Sequence, residues 1–176
     1  KEVAEAYKEL SKDKVIKGLV FDLRGNPGGL LNEAVNTTNL FIDKDLEVVS
    51  TKGKVKDWDK VYKTLNQPLD KDIPLVVLIN SRSASASEIV SGAIQDLDRG
   101  VVIGQRSFGK GLVQQTRKLS YNSQLKVTTA KYYIPSGRCI QALDYSDRND
   151  DGSVGSIPDS LKTEFKTLNG RSVWDG

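Results

Sequence analysis

Residues 73–80, IPLVVLIN, form an unbroken aliphatic run, and SRSASASEIV follows it with small polar residues before a helical pattern begins. A run of that length, bounded by turn residues, predicts a buried strand. The next stretch, ASEIVSGAIQDLD, places Ile89, Val90, Ala93, Ile94 and Leu97 on one helical face. The same strand, turn and helix order occurs earlier in the chain. VIKGLVFDL (15–23) reads as a buried strand stopped by RGNPGG, whose Gly25, Pro27, Gly28 and Gly29 demand a tight turn, and a helix over 30–42 follows. Two such units and a third short strand, GVVIG (100–104), predict an α/β domain with a mixed sheet.

The remainder is less periodic. Val3, Tyr7 and Leu10 make residues 1–13 an amphipathic helix, and LEVVS (46–50) a short strand. The lysine-rich segment 51–72 lacks a clean period and is expected to be an exposed excursion. GLVQQTRKL and LKVTTAKYYI alternate around SYNSQ and predict a β-hairpin. Beyond Ile140 the chain is turn-rich, with a short helix expected near 159–168. No internal repeat divides residues 1–176, so one unit is expected.

Composition excludes more than it suggests. At 38% apolar and 28% charged residues the chain has the make-up of an ordinary folded domain, and no apolar run approaches the roughly 20 residues of a membrane span. The net charge of +3 is spread along the chain, so nucleic acid is not an expected partner. The single cysteine, Cys139, permits no internal disulfide and reads most simply as a packing residue. There is no histidine at all, which removes a Ser-His-Asp triad, a Cys-His dyad and any histidine-ligated zinc.

Three motif-like stretches carry little. GQRSFGKG (104–111) has P-loop spacing, but Gly111 stands where a hydroxyl should hold magnesium, and a strand pattern follows where a helix is required. Ser107 and Lys110 have S-x-x-K spacing without the helical turn that makes it work. In DRNDDG, Asp147, Asn149, Asp151 and Gly152 match half of a calcium loop, yet the twelfth position is Pro158, and such clusters more often form turns.

The serines are more informative. Ser81 or Ser83 can cap the following helix, and Ser85 with Glu88 has capping-box spacing. Small residues between an apolar strand and a helix also present a hydroxyl beside free backbone N–H groups, as acyl-transfer nucleophiles require. Without histidine, the general base must be another group, and a desolvated lysine is the usual substitute. Such a lysine needs its pKa lowered by about three units, which burial can supply. Lys110 is the best placed by sequence, between Gly109 and Gly111 and near Phe108, Leu112 and Val113, which could exclude water. Pattern alone does not choose among Ser83, Ser85 and Ser87.

Three segments in order, DLRGNPGG (22–29), NSRSASASEI (80–89) and SFGKGLVQ (107–114), together resemble the signature segments of the C-terminal processing peptidases, the tail-specific serine endopeptidases. The resemblance runs from the strand before Asp22 to about Ile140. It implies Ser85 as nucleophile, Lys110 as its base, Gln114 as the residue orienting that lysine, and an oxyanion hole from backbone N–H groups of Gly28 or Gly29 and of Ala86. It implies a crotonase-like spiral sheet with flanking helices, no cofactor and no metal. The substrates implied are proteins or peptides with apolar C-terminal tails held by strand addition.

The resemblance further implies a periplasmic or envelope location. Oligomerisation is compatible with it, and membrane association would come only through regions outside this chain. The PDZ domain usual in that family has no counterpart in residues 1–176, so the chain is expected to be the peptidase core of a longer protein. Two other readings are compatible with these residues: a catalytically silent module gripping peptide tails in the same cleft, and a phosphate-binding NTPase built on Gly104 to Lys110.

Overall fold

The computed structural model describes residues 1–175, apart from the side chains of 146–148. In chain order the first elements are α1 (Glu2–Ser11), β1 (Leu19–Asp22), α2 (Leu31–Thr38), β2 (Glu47–Gly53), a 3-10 turn (Lys56–Trp58), β3 (Lys60–Lys63) and β4 (Leu75–Ile79). They are followed by α3 (Ala86–Asp96), β5 (Val101–Gly104), β6 (Leu112–Lys118) and β7 (Gln124–Tyr133). The chain ends with β8 (Leu143–Arg148), β9 (Val154–Ser156), a 3-10 turn (Asp159–Leu161), β10 (Glu164–Lys166) and β11 (Ser172–Trp174).

The expected α/β architecture is present, but the pairing divides into sheets of one kind each. β1, β4 and β5 form a parallel sheet in that order, and β3, β2, β7 and β6 an antiparallel one. The parallel register is unshifted: Asp22 lies beside Leu78, and Leu78 beside Ile103. All three strands therefore end at one edge, where the turns after β1, β4 and β5 come together. In open parallel sheets that carboxyl edge is where sites form.

The core lies between the parallel sheet and the helices. Phe41, Val48, Val49, Val77, Ile89, Ile94 and Ile134 are almost wholly removed from water. Every residue of α3 except Gln95 is buried, so the helix that begins at the serine stretch is a rigid part of the core.

Three local expectations are corrected. The first strand begins only at Leu19, because residues 15–18 do not pair. The lysine-rich excursion is in part regular: β2 runs on to Gly53, and β3 returns antiparallel to it with Ser50 opposite Val61. The helix expected near 159–168 is a single 3-10 turn leading into the β10–β11 hairpin. That hairpin is fixed by tertiary contacts: Leu168 N–H donates to Asp96 O at 2.8 Å, and Arg171 Nε to Asp98 Oδ1 at 2.6 Å. Among the described residues no helix is long and apolar enough to cross a membrane.

Candidate active site

The glycine turn after β1 and the serine stretch after β4 are fastened together atom by atom. Gly25 N–H donates to Asn80 Oδ1 at 2.9 Å, and Ala84 N–H to Asn26 O at 3.0 Å. Gly28 has φ +95°, and a Cβ there would lie 2.5 Å from Ala84 O, 2.7 Å from Ala86 N and 3.0 Å from Ser85 Cβ. Only glycine allows the turn to approach Ser85 this closely.

The structure separates the three serines that pattern could not. Ser83, 0% exposed, donates its hydroxyl to Leu23 O at 2.7 Å and accepts from Asn80 N–H at 3.0 Å. Ser87, 3% exposed, donates to Asn26 O at 3.1 Å. Both hydroxyls are rivets between the two turns. Ser85 is half-buried, with φ 56° and ψ −113°, a conformation unfavourable for any residue with a Cβ. It stands at the N-cap of α3 in a capping box with Glu88, whose N–H also donates to the Ser85 carbonyl at 2.9 Å. A strained serine on a strand-to-helix turn has the backbone geometry of a nucleophile elbow.

Glu88 organises the rest. Its carboxylate is 3% exposed and accepts four hydrogen bonds. Oε2 takes Ser85 N–H at 2.7 Å and Lys110 N–H at 2.9 Å; Oε1 takes Gly109 N–H at 2.5 Å and Ser107 Oγ–H at 2.7 Å. The capping-box spacing was visible in sequence, but not that the same side chain captures the lysine loop. Phe108 N–H adds a bond to Ser83 O at 3.0 Å. A Cβ on Gly109 (φ +83°) would stand 2.2 Å from Ala142 Cβ, so glycine there admits the segment after β7.

Ser85, Lys110, Gly28, Gly29 and Ala86 thus belong to one edge of the molecule. Lys110 is half-buried. Among the described residues no hydrogen bond joins Ser85 Oγ to Lys110 Nζ. Gln114 lies on β6 at a register shift beside Val113 and is exposed. Gly28 N–H donates to Asn26 Oδ1 at 2.9 Å, so it is engaged within its own turn. Ala86 opens α3, where a helix's first N–H groups lack intrahelical acceptors. Phe108, expected to exclude water, is 52% exposed and does not do so.

The remaining motifs resolve locally. The stretch after Gly104 leads into β6, not a helix, so no helix N-terminus faces it. Ser107 is occupied by Glu88. In DRNDDG the side chain of Asp147 is outside the described residues, while Asn149 and Asp151 close a turn through Gly152 N–H to Asn149 O at 2.8 Å and Ser153 N–H to Asp151 Oδ1 at 2.9 Å. Among the described residues no cluster of three or more acidic or cysteine side chains could hold a metal. Beside the site, Arg24 forks onto Asp22 (Nη2 to Oδ2, 2.7 Å) and holds that carboxyl down at about 2. Burial pushes the Cys139 thiol up, away from reactivity.

The family model described as Peptidase family S41 matches residues 1–146. The chain is 45% identical over 141 residues to a carboxy-terminal-processing protease of Bartonella bacilliformis, covering 80% of this chain and 32% of that protein. It is 41% identical over 143 residues to a chloroplastic C-terminal processing peptidase of Tetradesmus obliquus, covering 81% and 30%.

Among solved structures, a photosystem II D1 C-terminal processing protease superposes with TM-score 0.70 at 39% identity, covering 79% of this chain and 35% of that one. A lipoprotein from Streptococcus agalactiae, 19% identical, shares the fold at TM-score 0.62, covering 78% and 51%. The chain belongs to peptidase family S41. It spans about a third of the length of the curated relatives it matches.

Proposed function

We propose that the chain is the catalytic core of a serine endopeptidase that cleaves proteins near apolar C-terminal tails, with Ser85 as nucleophile and Lys110 as base. The observation that carries this reading is the shared carboxylate oxygen of Glu88, which takes the backbone N–H of both residues and so ties the strained serine to the lysine loop.

In this reading neutral Lys110 Nζ removes the Ser85 hydroxyl proton as Oγ attacks the peptide carbonyl. The backbone N–H groups of Gly29 and Ala86 hold the developing oxyanion, while Gly28 supplies the close wall. Lys110 passes its proton to the leaving amine, and an ester remains on Ser85 Oγ. Water, deprotonated by the same amine, releases the acyl product and restores the serine. Gln114, on the strand that continues from the lysine loop, would orient Lys110. No step draws on a metal or cofactor.

The crotonase-like spiral belongs to the same reading; successive parallel strand and helix units followed by an antiparallel hairpin support it. So does an envelope location, which rests on the resemblance; one relative is named chloroplastic.

The test is cleavage of an unstructured peptide with an apolar C-terminal tail. Ser85→Ala and Lys110→Ala should each lower turnover by at least ~10³-fold, while Ser107→Ala retains it. Unchanged cleavage in both variants would remove the assignment.

A further inference from the structure

Helix α1 buries none of its residues fully, yet Val3 reaches an apolar cavity of about 210 Å³ that Gly28, Gly29 and Ala86 also line. Leu23, Ala34 and Val90 form its other walls. Two contacts of Tyr7 hold α1 in this position. Its hydroxyl donates to Asp70 Oδ2 at 2.5 Å, and its ring stands edge-on to Phe41, with centroids 6.4 Å apart.

We propose that Val3 is a specificity-determining residue: the cavity receives an aliphatic side chain from the residue on the acyl side of the scissile bond, and Val3 is its outer wall. The inference rests on the peptidase reading above. A carbonyl held by Gly29 and Ala86 is one covalent bond, about 1.5 Å, from the Cα of its own residue. The side chain on that Cα has to enter the space beside the same donors, and the cavity is that space. Lys110, which would serve the leaving amine, comes from a different segment, the loop between β5 and β6.

The walls set the chemistry. Each methylene buried against Leu23, Ala34, Val90 and Val3 favours binding about fourfold. Glu33 contributes to the same cavity from α2, so an acidic side chain would meet a like charge. A wall carried on a surface helix, unlike one carried on α3, can be altered without disturbing the core.

The experiment measures kcat/KM of the chain for one peptide sequence with Ala, Leu or Asp before the scissile bond. Leu and Ala should exceed Asp by at least ~10-fold. Val3→Trp should lower Leu relative to Ala by ~10-fold or more, and Val3→Ala should shift the ratio the other way, with circular dichroism showing both variants folded. Ser85-dependent turnover with ratios unmoved in both variants would overturn the role of Val3 and leave the peptidase reading standing.

Absence of any Ser85-dependent turnover would count against the peptidase reading instead. The cavity is then read by methyl NMR with N-acetylated tripeptides ending in leucine or glycine. Shifts at the Ala34 and Ala86 methyls with leucine alone, lost in Val3→Trp, support it. Equal or absent shifts overturn it.

Discussion

Ser85 and Lys110 donate their backbone N–H groups to one oxygen, Oε2 of Glu88, at 2.7 and 2.9 Å. A single buried carboxylate thereby sets the spacing between a turn on β4 and a loop after β5. Glu88→Gln should leave at least one of four donors without an acceptor, because the amide offers N–H where a lone pair was needed. The expected loss is about 1–3 kcal/mol in urea unfolding, with a larger proportional loss of cleavage as the lysine loop relaxes.

Ser83 and Ser85 should respond oppositely to substitution. Ser83→Ala leaves Asn80 N–H without its acceptor and Leu23 O with only the Asn26 N–H, and should destabilise by about 1–3 kcal/mol. Ser85→Gly relieves a positive φ and gives up one half of a capping box, a smaller loss of a few tenths of a kcal/mol, so it should stabilise by up to about 1 kcal/mol while abolishing cleavage. Thermal unfolding alongside a cleavage assay reads both effects.

Gly28→Ala places a methyl 2.5 Å from Ala84 O and 2.7 Å from Ala86 N at φ +95°. The turn must retreat from Ser85. A lower melting temperature, by roughly 2–4 °C per kcal/mol, should accompany loss of cleavage. Gly25→Ala meets nothing within 4 Å, though its φ of +72° still carries strain, and should retain more activity.

The anchor of α1 is sensitive to alkali. The hydrogen bond to Asp70 pushes the Tyr7 hydroxyl up to about 12, and the same bond holds the Asp70 carboxyl below its usual range. Because the folded state keeps the tyrosine proton more tightly, this stability is fully present below about pH 10 and is lost as pH rises through about 12. The Asp70 part is present above the ordinary carboxylate range and is lost in acid. Tyr7→Phe should therefore differ from the unmodified chain near pH 7 and converge on it near pH 12 in unfolding measurements.

The strands β1 and β4, the helix α3 and the β6–β7 hairpin are legible because each announces itself over neighbouring residues, although β1, expected to be buried, alternates between half-buried and exposed positions. Aliphatic runs, a 3.6-residue period and alternation about a turn are local signals. β3 gives no sequence signal because on that strand only Tyr62 is half-buried, so Lys60, Val61 and Lys63 leave no alternation to read. Residues 159–168 do not form the expected helix because the β10–β11 hairpin is held by Asp96 and Asp98, some seventy residues earlier.

The site divides in the same way. Sequence by itself determined the cast: no histidine, a serine-rich strand-to-helix junction, a glycine turn and a lysine between glycines. Tertiary structure alone decided the parts. Ser83 and Ser87 became rivets because Leu23 O and Asn26 O lie across from them, and Glu88 became a clamp because the loop at 107–110 folds onto it. A backbone acceptor or a buried carboxylate acts on whatever the fold brings within 3 Å, and residues separated by 20 or 60 positions share no local pattern that could announce it.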